Sequence, residues 1–230
     1  MTKAVPQTPS DDKIFKLWPT AILRRRFPDH ERYKAELLAF TESYRTENPG
    51  SRQANENRGL YESQYDIFKR YGESVPAVGA LARFLARSLA EVSYVVNKKA
   101  WERDAVDPES LTVNITASWF INYLDQGNVD PHLHGNCSWS CVYYLRMPPA
   151  THDKDGATYF ISPTNKSDSD DMGNVYAREA SQYFTAVEGY ALFFPSHIVH
   201  GSFPSSGSEP RIIFSANARL DRPKPLYSEA

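Results

Sequence analysis

The sequence predicts a mainly β domain, an antiparallel sandwich or barrel, supported by N-terminal helices. Two observations carry this prediction. The apolar residues follow a helical period up to about residue 96 and change to period two from residue 111. Beyond that change, short runs rich in Val, Ile, Tyr and Phe recur, separated by Gly, Pro, Asp and Asn clusters.

Residues 1–28 read as a tail and lead-in. From Asp29 to Glu47, Tyr33, Leu37, Phe40 and Tyr44 fall on one helical face, and Asp29 follows a proline as a plausible N-cap. A polar loop, "SRQANENRG", leads toward a second, longer helix that begins at Pro76. Its apolar stripe is Val78, Leu81, Leu85, Leu89, Val92 and Val96. Neither helix carries a cluster of acids, bases or metal ligands, so residues 29–110 read as helical support. In "LTVNITASWFINYL", Leu111, Val113, Ile115, Ala117, Trp119, Ile121 and Tyr123 alternate with a mostly polar set that contains Ser118 and Asn122. Further strands are predicted in "WSCVYYLRM", "GATYFIS", "SQYFTAV", "GYALFFP" and "PRIIFSANARL". The insertion "PTNKSDSDDMGNVYARE" is long and polar, a loop with the character of a lid. Residues 1–230 are taken as one domain, with the β core over 111–220.

Composition narrows the function. Lys and Arg number 26 against 28 Asp and Glu, so no field draws the chain to nucleic acid or to anionic lipid. No apolar stretch approaches the roughly 18 residues of a membrane span, and the N-terminus lacks the apolar segment of a signal peptide. A cytoplasmic protein acting on a small molecule or another protein is expected. Cys137 and Cys141 are the only cysteines. On one strand they stand about 13 Å apart, so they are expected to be reduced and to serve packing.

There are six histidines. His30, in the first turn of a helix, and His152, in a polar loop, read as solvated surface residues. His132 and His134 lie two apart, and in an extended segment both imidazoles project to the same face, where they can reach one ion. His197 and His200 follow another strand. Arg211 then opens a strand whose alternate residues are Arg211, Ile213, Ser215 and Asn217. A guanidinium aimed into a barrel interior needs an anionic partner. The sequence offers no carboxylate at obvious spacing, and a bound dicarboxylate would satisfy it.

At these residues the chain resembles the Fe(II)/2-oxoglutarate-dependent oxygenases. The likeness is strongest to a small bacterial and phage group with an HxH motif and more distant to the prolyl hydroxylases. The resemblance implies a double-stranded β-helix, the cupin-like jelly roll. "HLH" stands in the place of the usual HxD, and "LFFPSHIVHG" matches the strand and loop of the distal histidine. "CVYYL" and "PRIIFSANA" match the strands that carry the cosubstrate-binding Tyr and Arg. The implied metal ligands are His132, His134 and His200, with His200 rather than His197 as the distal ligand. Tyr144 and Arg211 would hold 2-oxoglutarate. Trp119 and Asn122 are comparable with a W-x-x-N element of the small group. Asn122 and His197 are candidates for the substrate pocket, whereas Trp119 shares the parity of the apolar face. The implied cofactors are Fe(II), 2-oxoglutarate and O2, and the implied reaction hydroxylates or otherwise oxidises a C–H bond of a small-molecule or peptidyl substrate.

Two positions depart from the superfamily pattern. His134 replaces a carboxylate, and three imidazoles also suit Zn, Ni or Cu. Ile213 stands where many members have Ser. The rival readings are a three-histidine cupin-type dioxygenase that needs no cosubstrate and a non-catalytic ligand-binding jelly roll.

Overall fold

The computed structural model describes residues 20–50, 59–124, 127–163, 179–206 and 209–221. The predicted tail before residue 20, most of the "SRQANENRG" loop and most of the 163–179 insertion lie outside them. The elements are β1 (Leu23–Arg26), α1 (His30–Glu47), β2 (Leu60–Glu62), α2 (Ile67–Tyr71), α3 (Pro76–Arg103), β3 (Thr112–Tyr123), β4 (Val129–His132), β5 (Trp139–Arg146), β6 (Thr158–Ile161), β7 (Ser181–Phe184), β8 (Tyr190–Pro195), β9 (His200–Ser202) and β10 (Arg211–Asp221). From β3 onward the chain passes back and forth between two antiparallel sheets. One has the order β1-β8-β5-β10-β3-β2, the other β4-β9-β6-β7. The eight strands β3 to β10 are thus divided four and four between the sheets. This is the double-stranded β-helix, and β1 and β2 extend the edges of the larger sheet.

Two apolar layers hold the sheets in place. The larger sheet presents Phe120, Tyr143, Phe193 and Phe214 to Leu37, Leu81, Leu85 and Leu89 of α1 and α3. Its other face, with Trp119, Ile121, Val142, Tyr144 and Ile213, meets Phe160 and Phe194 between the sheets. Both faces of the second half of β3 are therefore buried. On its helix-facing side the Ser118 hydroxyl accepts the Phe68 N–H at 2.9 Å, and the Ser63 hydroxyl accepts the Phe120 N–H at 2.9 Å.

The predicted helices are present, with differences at their ends. Asp29 precedes α1 but makes no side-chain cap. The buried stripe of α3 ends at Ser93, and Val96, expected inside, is 47% exposed. The helix is 28 residues long and runs past the core that it covers. In the predicted lead-in, "LRRR" forms β1. Arg25 projects toward α3, where its guanidinium meets Glu91 at 2.6 Å, so the alternation that defines this strand is not an apolar one.

His30 is not a surface residue. It is 2% exposed, one ring nitrogen lies 2.6 Å from the Tyr143 hydroxyl, and the other faces Glu188, which also binds Lys34. The chain enters α1 beneath β8, and Gly189 packs directly on the imidazole. His152 is exposed and paired with Asp155 at 3.0 Å. Both cysteines are free, and burial pushes the Cys141 thiol up to about 12, consistent with a packing role.

Candidate metal centre

His132 ends β4 and His200 begins β9, and the antiparallel register sets them directly opposite each other. Their rings are 4.4 Å apart between centroids. His134 lies two residues beyond His132 and is fixed by its backbone N–H, which donates to the Ser196 carbonyl at 3.0 Å. Its ring is 4.9 Å from that of His132 and 5.1 Å from that of His200. One nitrogen from each ring lies within 4.8 Å of the other two, the one such cluster of three metal-ligating side chains among the described residues.

The hydrogen bonds suit this set to a cation. Nδ1 of His132 lies 2.8 Å from the Asp130 carbonyl, and Nδ1 of His200 lies 2.9 Å from that of Ile198. A carbonyl can only accept, so both Nδ1 atoms carry the proton and both Nε2 atoms keep a lone pair. Burial, reinforced by the neighbouring histidines, lowers His134 to about 3. Burial lowers His200 to about 4, against an opposing hydrogen bond to Ile198. Both imidazoles are neutral at physiological pH, as metal ligation requires.

The same shifts set a pH dependence. Below about pH 6.5 the unfolded chain binds protons that the folded one cannot, so the metal-free protein loses stability as the pH falls toward about 4. For His200 alone the loss is on the order of 3 kcal/mol. Urea midpoints measured in chelator between pH 7 and pH 4.5 should fall for the wild type and fall less for His200→Ala. Parallel profiles would remove the histidine from this account.

The histidines open onto a cavity of about 530 Å³. Trp119, Ile121, Tyr123, Phe194 and Ile213 form its walls, and Glu62, Tyr65 and Asp130 also border it. Tyr65 packs on Trp119, with centroids 4.8 Å apart, and Trp119 lies 5.8 Å from the ring of His134, so an aromatic wall adjoins the metal centre.

Thr158 and Ser202, also in the lining, connect the cavity to the two residues expected to bind a cosubstrate. The Tyr144 hydroxyl is 2.7 Å from Thr158 Oγ1, and burial pushes its pKa up to about 12. Arg211 is 1% exposed. It donates to the Phe203 carbonyl at 2.9 Å and to Ser202 Oγ at 3.1 Å, and its guanidinium carbon lies 3.5 Å above the Tyr123 ring. Among the described residues its Nε has no partner and it joins no ion pair. Burial accordingly pulls its pKa down. A buried guanidinium held by neutral groups suits a carboxylate ligand, and three neutral imidazoles suit a divalent cation.

The loop before β6 holds Arg211 in place. The Asp155 carboxylate accepts from the Thr151 N–H at 2.6 Å and from the Ser206 hydroxyl at 2.6 Å. The next residue, Gly156, has φ +63, and a Cβ there would lie 2.7 Å from Arg211 Nη1. Gly156→Ala should therefore both strain the backbone and displace the guanidinium. An increase of about tenfold in the 2-oxoglutarate requirement is expected, with a stability loss of roughly 1–3 kcal/mol. Kinetics and urea denaturation of the variant test both.

Two expected pocket residues lie elsewhere. Asn122 faces the helices, because it sits opposite Ile212 and Tyr61 in the sheet and has the opposite parity to Trp119, Ile121 and Tyr123. It is buried, and its amide oxygen has no partner among the described residues. Trp119, assigned by parity to the apolar core, is buried in the layer between the sheets and also forms part of the cavity wall. His197 is exposed on the turn after β8 and borders a separate depression with Trp101 and Cys137. Tyr123, Thr158, Ser202 and Gly156 were not identified from the sequence. Tyr123 shares the parity of Trp119, which was a usable signal; the others are placed by long-range pairing.

Comparison with known proteins agrees with this geometry. Residues 117–217 match the family model described as "Putative 2OG-Fe(II) oxygenase". No curated protein matches the sequence significantly. Among solved structures, a prolyl-4-hydroxylase from Pseudomonas putida is similar, with a TM-score of 0.53 and 17% identity over 87% of this chain and 92% of its own. A prolyl hydroxylase from Trichoplax adhaerens, in complex with a hypoxia-inducible-factor oxygen degradation domain peptide fragment, has a TM-score of 0.54 and 13% identity over 87% and 83%. The non-haem alpha-ketoglutarate-dependent epimerase SnoN of nogalamycin biosynthesis has a TM-score of 0.53 and 15% identity over 87% and 78%. At such identities the likeness is one of fold, the jelly roll with N-terminal helices. The family match spans both sheets from β3 to β10, takes in the three-histidine cluster together with Tyr144 and Arg211, and makes this part of the chain similar to the 2OG-Fe(II) oxygenases, which use Fe(II), 2-oxoglutarate and O2.

Proposed function

We propose that the protein couples the oxidative decarboxylation of 2-oxoglutarate to hydroxylation of a C–H bond in a small-molecule or peptidyl substrate. The observation that carries this reading is Arg211, a buried guanidinium with no ion-pair partner among the described residues, hydrogen-bonded to a residue of the cavity that holds the three histidines. When bound, iron and 2-oxoglutarate supply the oxidation: one oxygen atom of O2 enters succinate as CO2 leaves, and the other enters the substrate.

The chain's own part is to bind, orient and exclude water. His132, His134 and His200 would hold the metal and, being neutral, leave both charges of a divalent ion in place. Arg211 and Tyr144 would hold the carboxylate of the cosubstrate farther from the metal, Arg211 by charge and Tyr144 by its hydroxyl. Trp119, Tyr65, Ile121 and Phe194 line the space that remains, an apolar wall beside the reacting centre that keeps water out. The Trichoplax enzyme is complexed with a peptide fragment, and SnoN belongs to the biosynthesis of a small molecule. A cavity of about 530 Å³ suits either a small molecule or one side chain presented by a peptide.

Anaerobic titration of the Fe(II) protein with 2-oxoglutarate tests the reading. A weak visible charge-transfer band that saturates with cosubstrate is expected. Its absence, with iron bound, would favour the cosubstrate-independent three-histidine dioxygenase, for which a cluster of three histidines without a carboxylate among the described residues is the supporting observation.

A further inference from the structure

We infer that Asn217 is a positioning residue for His134: when the metal is bound, its side-chain oxygen accepts a hydrogen bond from the Nδ1–H of His134 and so leaves the Nε2 lone pair to the metal. The inference rests on the reading of the three histidines as a metal centre. His132 and His200 each give their Nδ1 proton to a backbone carbonyl two residues earlier in the chain. His134 is held differently. Its Nδ1 lies 3.4 Å from the side-chain amide nitrogen of Asn217, from a distant strand.

The fold aims Asn217 at this position. Along β10 it shares the parity of Arg211, Ile213 and Ser215, and the pairing with β3 is interrupted by a bulge between Asn217 and Ala218. Bulges re-aim side chains, and this one falls at the residue that meets His134. Asn217 pairs in register with Ser140 of β5, whose buried hydroxyl lies 2.9 Å from the amide oxygen. The amide thus sits between two polar atoms, the Ser140 hydroxyl and His134 Nδ1.

Nitrogen and oxygen of an amide occupy nearly the same space, and the choice between them follows from the protons. With the amide nitrogen facing His134, Nδ1 accepts and the imidazole proton sits on Nε2, where it blocks ligation. With the oxygen facing His134, Nδ1–H donates to it, the amide nitrogen donates to Ser140 Oγ, and Nε2 is free. A serine hydroxyl both donates and accepts, so Ser140 satisfies either orientation. The structure has the first orientation, and ligation through Nε2 requires the second, which a half-turn of the amide reaches. The role matches that of the carboxylate or carbonyl partners that orient metal-bound histidines elsewhere, performed here by a neutral side chain.

The test uses the full chain, with Ni(II) as a redox-inert probe of affinity and Zn(II) as a diamagnetic probe of the ring proton. Asn217→Leu, a near isostere without hydrogen-bonding groups, should weaken Ni(II) binding by about 10- to 100-fold, whereas Asn217→Asp, which can only accept from Nδ1–H, should stay within about 3-fold of the wild type or bind more tightly. In the Zn(II)-loaded wild type and in Asn217→Asp, ring ¹⁵N–¹H correlations should place the His134 proton on Nδ1. His134→Ala is the reference that separates the two levels of the argument. If it leaves Ni(II) affinity unchanged, the three-histidine reading fails and takes this inference with it. If His134→Ala weakens binding while Asn217→Leu does not, or if the Zn(II)-loaded protein keeps the His134 proton on Nε2, the inference about Asn217 alone is overturned.

Discussion

Arg211→Ala should raise the 2-oxoglutarate concentration needed for half-maximal turnover by about one to three orders of magnitude, the largest cosubstrate effect of any single change in this site. Hydrogen bonds to charged groups contribute about 1.5–3 kcal/mol each, and roughly 1.4 kcal/mol is tenfold in affinity. The guanidinium is already oriented by Phe203, Ser202 and the Tyr123 ring, so little of that energy goes into ordering it. Arg211→Lys should recover only part of the loss, because an ammonium cannot reproduce the planar two-point contact or the stacking on Tyr123. A stability measurement gives the second arm. Breaking a buried ion pair strands a charge, but Arg211 joins no ion pair among the described residues, and removing it removes a desolvated cation. Arg211→Met, closer in volume, should therefore keep or raise the melting temperature of the metal-free protein while losing the cosubstrate. An unchanged 2-oxoglutarate requirement in a folded Arg211→Ala protein would remove the main support for the cosubstrate assignment.

Strands with strong apolar runs could be read from the sequence. β5, β8 and β10 each follow turn-forming residues and are rich in aromatic and aliphatic side chains, so propensity, pattern and punctuation agree. β1 and β2 could not be read. β1 is "LRRR" and β2 is three residues long, and each exists as an edge strand beside a stronger neighbour, β8 or β3. The same limit explains the misplacement of Asn122. Alternation along β3 separates two faces, but it does not say which one meets the cavity, and with helices covering the outer face both are buried. Polar Asn122 was therefore taken for the open side, when the open side belongs to Trp119, Ile121 and Tyr123. His30 was misjudged for a related reason. A histidine in a first helical turn reads as solvated unless one knows that Tyr143 and Gly189 close over it. The metal-centre candidates were accessible because a two-residue spacing states its own geometry in an extended segment, whereas Thr158, Ser202 and Gly156 reach the site through pairings of strands far apart in the chain.

Substitution of the histidines carries the largest effect on the metal. His132→Ala and His200→Ala should each abolish iron binding and turnover, because the two face each other in register and both offer Nε2 from a ring fixed at Nδ1. His197→Ala should leave iron affinity unchanged, since His197 is exposed and borders a different depression. His134 is the discriminating position. As a ligand it makes His134→Ala weaken iron binding by about tenfold or more, while His134→Asp places a carboxylate where the usual facial triad has one and keeps some activity. The shorter aspartate lies near the Asn217 amide, whose nitrogen can donate to it, so this substitution has a partner already in place. It also lowers the charge of the loaded site by one unit, which should weaken its hold on the 2-oxoglutarate dianion. The two effects separate cleanly: iron affinity retained in His134→Asp, cosubstrate affinity reduced. A metal-bound crystal structure should show a His134 nitrogen about 2.0–2.3 Å from the ion. Near-normal iron affinity in His134→Ala, with water in that coordination position, would reduce the centre to His132 and His200, and full activity in His200→Ala with loss in His197→Ala would overturn the choice of distal ligand.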